Sequence, residues 1–162
     1  SGGVPRLGIP PLRVTDGPNG ARGTSMHGEK GATSGPCAVA LAASFDEKLL
    51  KDIGSLCGEE CIRRRANVLL GPTINLQRYP VSGRHFECFS EDPFLTGRCA
   101  TAWTIGVQQH VAACAKHFIG NDQETDRNTS NSVIDERTLR EVYLAPFEDL
   151  VCEAGVEMIM CG

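Results

Sequence analysis

Short apolar runs alternate along this chain with longer stretches of helical periodicity, and that alternation most constrains what the chain can fold into. Strand-like runs are read at Leu12–Thr15, Ala38–Ala43, 67–70, Val111–Phe118 and Val156–Cys161. Between them, Leu49, Leu50, Ile53, Leu56 and Cys57 recur at helical spacing and predict a helix reaching Arg64. Ser44 with Glu47 three residues on forms a capping box at its start. Asp92-Pro93 opens a second helix, Asp as N-cap and Pro in the first turn, running to about Gln109. Asp135 caps a third, with Leu139, Val142, Tyr143, Phe147, Leu150 and Val151 on one face, a bend at Pro146 and Gly155 as its stop. The pattern predicts an α/β fold of about five strands with intervening helices. The connections are long enough for right-handed parallel crossovers. A closed eight-stranded barrel needs more strands than that.

At 162 residues the chain has the length of one domain, 1–162. Its formal charge of −4 and the lack of a basic stripe argue against nucleic acid as a partner. Its longest apolar runs are far shorter than a membrane span, and no signal-peptide pattern opens it. It begins Ser1-Gly2-Gly3-Val4-Pro5, without an initiator Met, and stops on an apolar run. Both ends lead to the expectation that it is cut from a longer chain.

Eight cysteines, at 37, 57, 61, 88, 99, 114, 152 and 161, are dispersed over apolar segments. A disulfide scaffold would cluster them, so buried free thiols are expected. Cys57 and Cys61, or His85 and Cys88, lack the second Cys or His pair that a zinc site requires.

Charged residues beside strand ends are the candidates for chemistry, because buried cations need partners and α/β proteins bind ligands there. Asp16, before Gly17-Pro18, reads either as an Asx turn, the commoner outcome, or as a carboxylate accepting from sugar hydroxyls. Arg84 reads as a salt-bridge partner of Glu87, Glu91 or Asp92, or as a planar fork for vicinal hydroxyls or a carboxylate. Lys116 and His117 are adjacent on a strand and should face opposite ways. To serve one ligand, the backbone must bend or turn cis at that step. Otherwise Lys116 pairs with Asp122 or Glu124, and His117 is a core histidine donating to a carbonyl. Glu124, Asp126 and Arg127 make a charged loop; Asp126 reads as solvated and His27 has no role. Asn128-Thr129-Ser130 fits a glycosylation sequon. Phosphate-loop, G-x-S-x-G and H-E-x-x-H motifs are absent.

Taken in order, Thr15-Asp16-Gly17-Pro18-Asn19-Gly20-Ala21-Arg22-Gly23, Leu70-Gly71-Pro72-Thr73-Ile74-Asn75, the run 83–97, the run 116–127 and Asp135 to Glu141 with Pro146-Phe147 resemble the N-terminal barrel domain of glycoside hydrolase family 3. The likeness is greatest to its fungal β-glucosidases and covers nearly the whole chain. His85 departs from the Asn of many relatives, and Cys88 from a small or aromatic residue. The run Lys116-His117-Phe118-Ile119-Gly120-Asn121-Asp122 differs from Lys-His-Phe-Pro-Gly-His-Gly of the N-acetylglucosaminidase branch.

The resemblance implies a partial (β/α)8 barrel. It implies a retaining, exo-acting hydrolase that removes terminal β-D-glucose from a small β-glucoside or oligosaccharide, with no metal or organic cofactor. It implies that Asp16, Arg84, Lys116 and His117 hydrogen-bond the sugar, with Glu124 and Arg127 in support. The nucleophile and the acid/base are then expected beyond Gly162, in the remainder of a parent chain, leaving this segment inactive alone. The alternative, from another class, is a short carbohydrate-binding or regulatory protein without catalysis. The fungal members are often secreted, a location the dispersed cysteines do not support through disulfides.

Overall fold

The computed structural model describes residues 2–23 and 31–162; His27 lies outside the described residues. Four strands form one sheet: β1 (Val14–Asp16), β2 (Val68–Leu70), β3 (Ala112–Phe118) and β4 (Met158–Cys161). All are parallel, and their order across the sheet is their order in the chain. In register, Asp16 lies opposite Leu70, Leu69 opposite Ala113, and Lys116 opposite Met160. The α/β expectation therefore holds, with four strands among the described residues.

The run that read as a further strand is helical. It forms α1 (Ala38–Ala42), which buries Ala38, Leu41 and Ala42. A short apolar run has no periodicity to separate strand from helix, and alanine favours the helix. Helix α2 (Glu47–Arg63) follows, and Asp46, not Ser44, is its N-cap, accepting from the Leu49 N–H at 3.0 Å. The Ser44 hydroxyl instead donates to the Leu41 carbonyl and accepts from the Asp46 N–H. Ser44 thus closes α1 while Asp46 opens α2.

Helix α3 (Pro93–Val107) starts as expected, with the Asp92 carboxylate accepting from the Leu95 N–H at 2.8 Å. It is the central helix of the core: Ala100, Trp103 and Val107 are almost fully enclosed. At its crossing with α2, glycines allow the two backbones to touch. Gly54 of α2 lies against the Trp103 carbonyl, and Gly106 of α3 against the Lys51 carbonyl.

The third predicted helix is broken. Asp135 caps α4 (Glu136–Thr138), Leu139–Tyr143 is a wide turn in which the Leu144 N–H reaches Leu139 O, and α5 (Ala145–Cys152) resumes. Pro146 has no N–H for the regular ladder, which fits a fault beside it. Tyr143, Phe147 and Leu150 are buried as expected, whereas Val151 is exposed.

All eight cysteines are free. Cys57, Cys61, Cys88, Cys99 and Cys114 are buried, Cys37 is half-buried, and Cys152 and Cys161 are exposed, against the expectation for those three. Burial pushes the Cys57 thiol up to about 11 and the Cys61 thiol to about 12, away from the thiolate that a metal would need.

Candidate functional site

The C-terminal ends of β1 and β3, the exit from β2 and the segment before α3 meet at one end of the sheet. Each contributes charge. Asp16 is the last residue of β1, and Lys116 and His117 lie near the end of β3. Thr73 and Asn75 follow β2, while Arg84 precedes a short 3-10 turn, His85–Glu87, that Glu87 ends. The Lys116–His117 peptide bond is cis, as is Phe118–Ile119.

Lys116 is 3% exposed in its side chain and places Nζ 2.7 Å from Asp16 Oδ1. Asp16, 42% exposed, also meets Arg22 at 3.3 Å. Burial alone would raise the Asp16 carboxyl. The hydrogen bond and charge of Lys116, then the charge of Arg22, outweigh burial and hold it below its ordinary 3.8. Neither acid suggested by sequence, Asp122 or Glu124, pairs with Lys116. Asp122 accepts from the Leu76 N–H at 3.1 Å.

Arg84 forks onto Glu87, Nε to Oε1 at 2.8 Å and Nη2 to Oε2 at 2.7 Å. Of the three acids suggested for it, Glu87 is the partner. Thr73 Oγ1 also donates to Glu87, at 3.1 Å. Burial would raise Glu87, but the hydrogen bond and charge of Arg84 hold it below 4.5. Arg84 Nη1 lies 3.0 Å from His117 Nε2 and 3.9 Å from Glu124 Oε1. Glu124 is fixed by Asn121 Nδ2 at 3.0 Å and Arg127 Nη1 at 3.1 Å.

Asp16, Arg84, Lys116 and His117 are thus brought together, with Glu124 behind Arg84 and Arg127 on the outer side of Glu124. Asp16, Gly17, Asn19, Arg22, Phe86 and Glu87 help line an adjoining cleft of about 320 Å³. Sequence reasoning gave Thr73 and Asn75 no role and Glu87 only that of a salt-bridge partner. The available signal was a polar residue just beyond a strand, which is also what any turn looks like.

His117 is half-buried. Burial first, then the positive charges of Arg84 and Lys116, push it from 6.5 down to about 4. The unfolded chain takes up that proton near 6.5, so the contribution of neutral His117 to stability is complete above that pH and drains away as pH falls toward 4. Asp16 and Glu87 act in the same direction at lower pH: their contribution is present above 3.8 and 4.5 and is lost as pH falls through their depressed folded values. The melting temperature is therefore expected to fall steadily from about pH 6.5 to pH 4. In calorimetry, His117→Gln should flatten the upper part of that fall; an unchanged slope would count against a neutral buried His117.

Residues 4–162 match the profile described as "Glycosyl hydrolase family 3 N terminal domain". The chain is 50% identical over 159 residues to a β-glucosidase of Rhizobium radiobacter, covering 97% of this chain and 19% of that protein. It is 51% identical over 146 residues to probable β-glucosidase I of Emericella nidulans, covering 90% and 17%. Relatives at this level of identity are found in both a bacterium and a fungus. The crystal structure of β-glucosidase from Kluyveromyces marxianus in complex with glucose superposes with a TM-score of 0.94 at 47% identity, over 98% of this chain and 19% of that one. The chain spans about a fifth of the length of the relatives it matches.

Proposed function

Because this chain belongs to glycosyl hydrolase family 3, we propose that its strand-end cluster forms the terminal-glucose pocket of a β-glucosidase. The observation that carries the reading is the convergence of Asp16, Arg84, Lys116 and His117 at the C-terminal end of one parallel sheet. That is the face on which such folds bind their substrates. Strand order identical to chain order supports the further reading of these strands as consecutive members of a (β/α)8 barrel.

The donor and acceptor inventory suits a polyol. Of the five guanidinium N–H groups of Arg84, Glu87 takes two and His117 one, which leaves two for ligand hydroxyls among the described contacts. Lys116 has three N–H groups and gives one to Asp16. The Asp16 carboxylate has lone pairs beyond those facing Lys116 and Arg22. Hydrogen bonds to the hydroxyls of a terminal sugar strengthen as the ring flattens toward an oxocarbenium ion, so they favour the transition state over the bound substrate. Glu124 and Arg127 support the pocket through Arg84.

Retaining hydrolysis also needs a nucleophile and a proton donor. Asp16 and Glu87 are held ionised by cations, which suits neither to donating a proton. Both oxygens of each acid are also engaged by cations, which blunts them as nucleophiles, so we assign both catalytic carboxylates to residues outside these 162.

The test is hydrolysis of 4-nitrophenyl β-D-glucoside by the protein as its gene encodes it, with the first-formed anomer followed by NMR. β-Glucose appearing first is expected. α-Glucose first would exclude double displacement, and absence of turnover would sink the assignment.

A further inference from the structure

We infer that Asn75 is a positioning residue that sets the tautomer of His117, and so makes His117 Nε2 the hydrogen-bond acceptor for Arg84. Asn75 is 3% exposed and grips His117 at three points. Its Oδ1 accepts from the His117 backbone N–H at 2.9 Å, and its Nδ2 donates to the His117 carbonyl at 3.0 Å. A backbone N–H can only donate and a carbonyl can only accept, so the two contacts fix which end of the amide is oxygen.

The third contact then has one solution. Oδ1 lies 3.2 Å from His117 Nδ1 and can only accept, so Nδ1 carries the hydrogen. In a neutral ring Nε2 is then the acceptor, and it faces Arg84 Nη1, which can only donate, at 3.0 Å. The two sides of the ring, reached from different elements, require the same tautomer. Protonation would put an Nε2–H against the guanidinium and break that contact while leaving the Asn75 side intact.

The charged groups acting on the ring are Arg84 and Glu87 from the segment before α3, Lys116 from β3 and Glu124 from the loop after it. The cations oppose protonation, and burial adds to them. A neutral amide at Asn75 leaves that balance undisturbed, whereas a carboxylate there would reverse part of it.

The experiment uses the protein as its gene encodes it, labelled with 15N-histidine, with the His117 signals assigned by their loss in His117→Gln. Long-range 1H–15N spectra at neutral pH should report hydrogen on Nδ1. Hydrogen on Nε2 would overturn the inference whether or not a variant at Asn75 folds. Asn75→Asp places a negative charge beside Nδ1 and should raise the His117 titration midpoint by about one pH unit or more. The acid limb of kcat/KM on an aryl β-glucoside should rise with it, a change that mere loosening of the loop would not produce. A midpoint that does not move would also overturn the inference. The activity arm rests on the β-glucosidase reading; absent turnover would defeat that reading, while the spectra would still decide the tautomer.

Discussion

On the β-glucosidase reading, replacing Lys116 by methionine in the protein as its gene encodes it is expected to lower kcat/KM for an aryl β-glucoside by about a hundredfold or more. The methionine keeps most of the stem of a side chain that is 3% exposed and removes only the ammonium, 2.7 Å from Asp16. Losing a charge-assisted hydrogen bond in a desolvated site costs about 3 kcal/mol, and each 1.36 kcal/mol is a factor of ten in rate. The stability cost should be small, because Asp16 is 42% exposed and keeps Arg22. Asp16→Ala should behave differently. It strands the enclosed ammonium with only the more distant charge of Glu87, and removing one partner of a buried pair costs more than the pair contributes. With allowance for water entering from the open Asp16 side, about 2 kcal/mol of stability should be lost along with activity. Denaturant titrations of the two variants would check the asymmetry. Equal loss of stability in both would mean that the ammonium is far better solvated than its burial indicates.

The second large effect is expected far from the pocket. Gly54→Ala and Gly106→Ala should each destabilise the protein by about 3 kcal/mol, at the upper end of overpacking costs. A methyl on Gly54 would collide with the Trp103 carbonyl, and one on Gly106 with the Lys51 carbonyl and the Ser55 nitrogen. These are backbone atoms within helices, so no side chain can rotate away, and α2 and α3 would have to separate around Trp103. Urea unfolding should register the loss, while activity per folded molecule stays near that of the parent. A neutral result at either glycine would show that the crossing has slack.

Much of this fold is legible in the sequence where a long period or a strong cap speaks. The apolar spacing from Leu49 to Cys57 and the Asp92-Pro93 start announce α2 and α3. The 38–43 run does not announce its helix, since six apolar residues fit strand and helix equally well. The capping signal points to Ser44, whereas the N-cap of α2 is Asp46, two residues on. At the site, the charged residues are conspicuous as types, but their partners are set by the sheet. Nothing local ties Lys116 to Asp16 one hundred positions earlier. Asn75 is hidden for the opposite reason: an Asn after a strand is what a common turn contains, and only its contacts across the β2–β3 boundary give it a role.

The order of the strands also bears on how the molecule comes to exist. Each strand docks on the one made just before it, and none inserts between two already paired. A chain leaving the ribosome could therefore lay down its sheet from one edge in the order of translation, as domains generally form while synthesis proceeds. Asp16 would wait at the first edge until β3 emerged and brought Lys116 to it. The most enclosed cation described at the pocket is thus made after its counter-charge and meets it already in place.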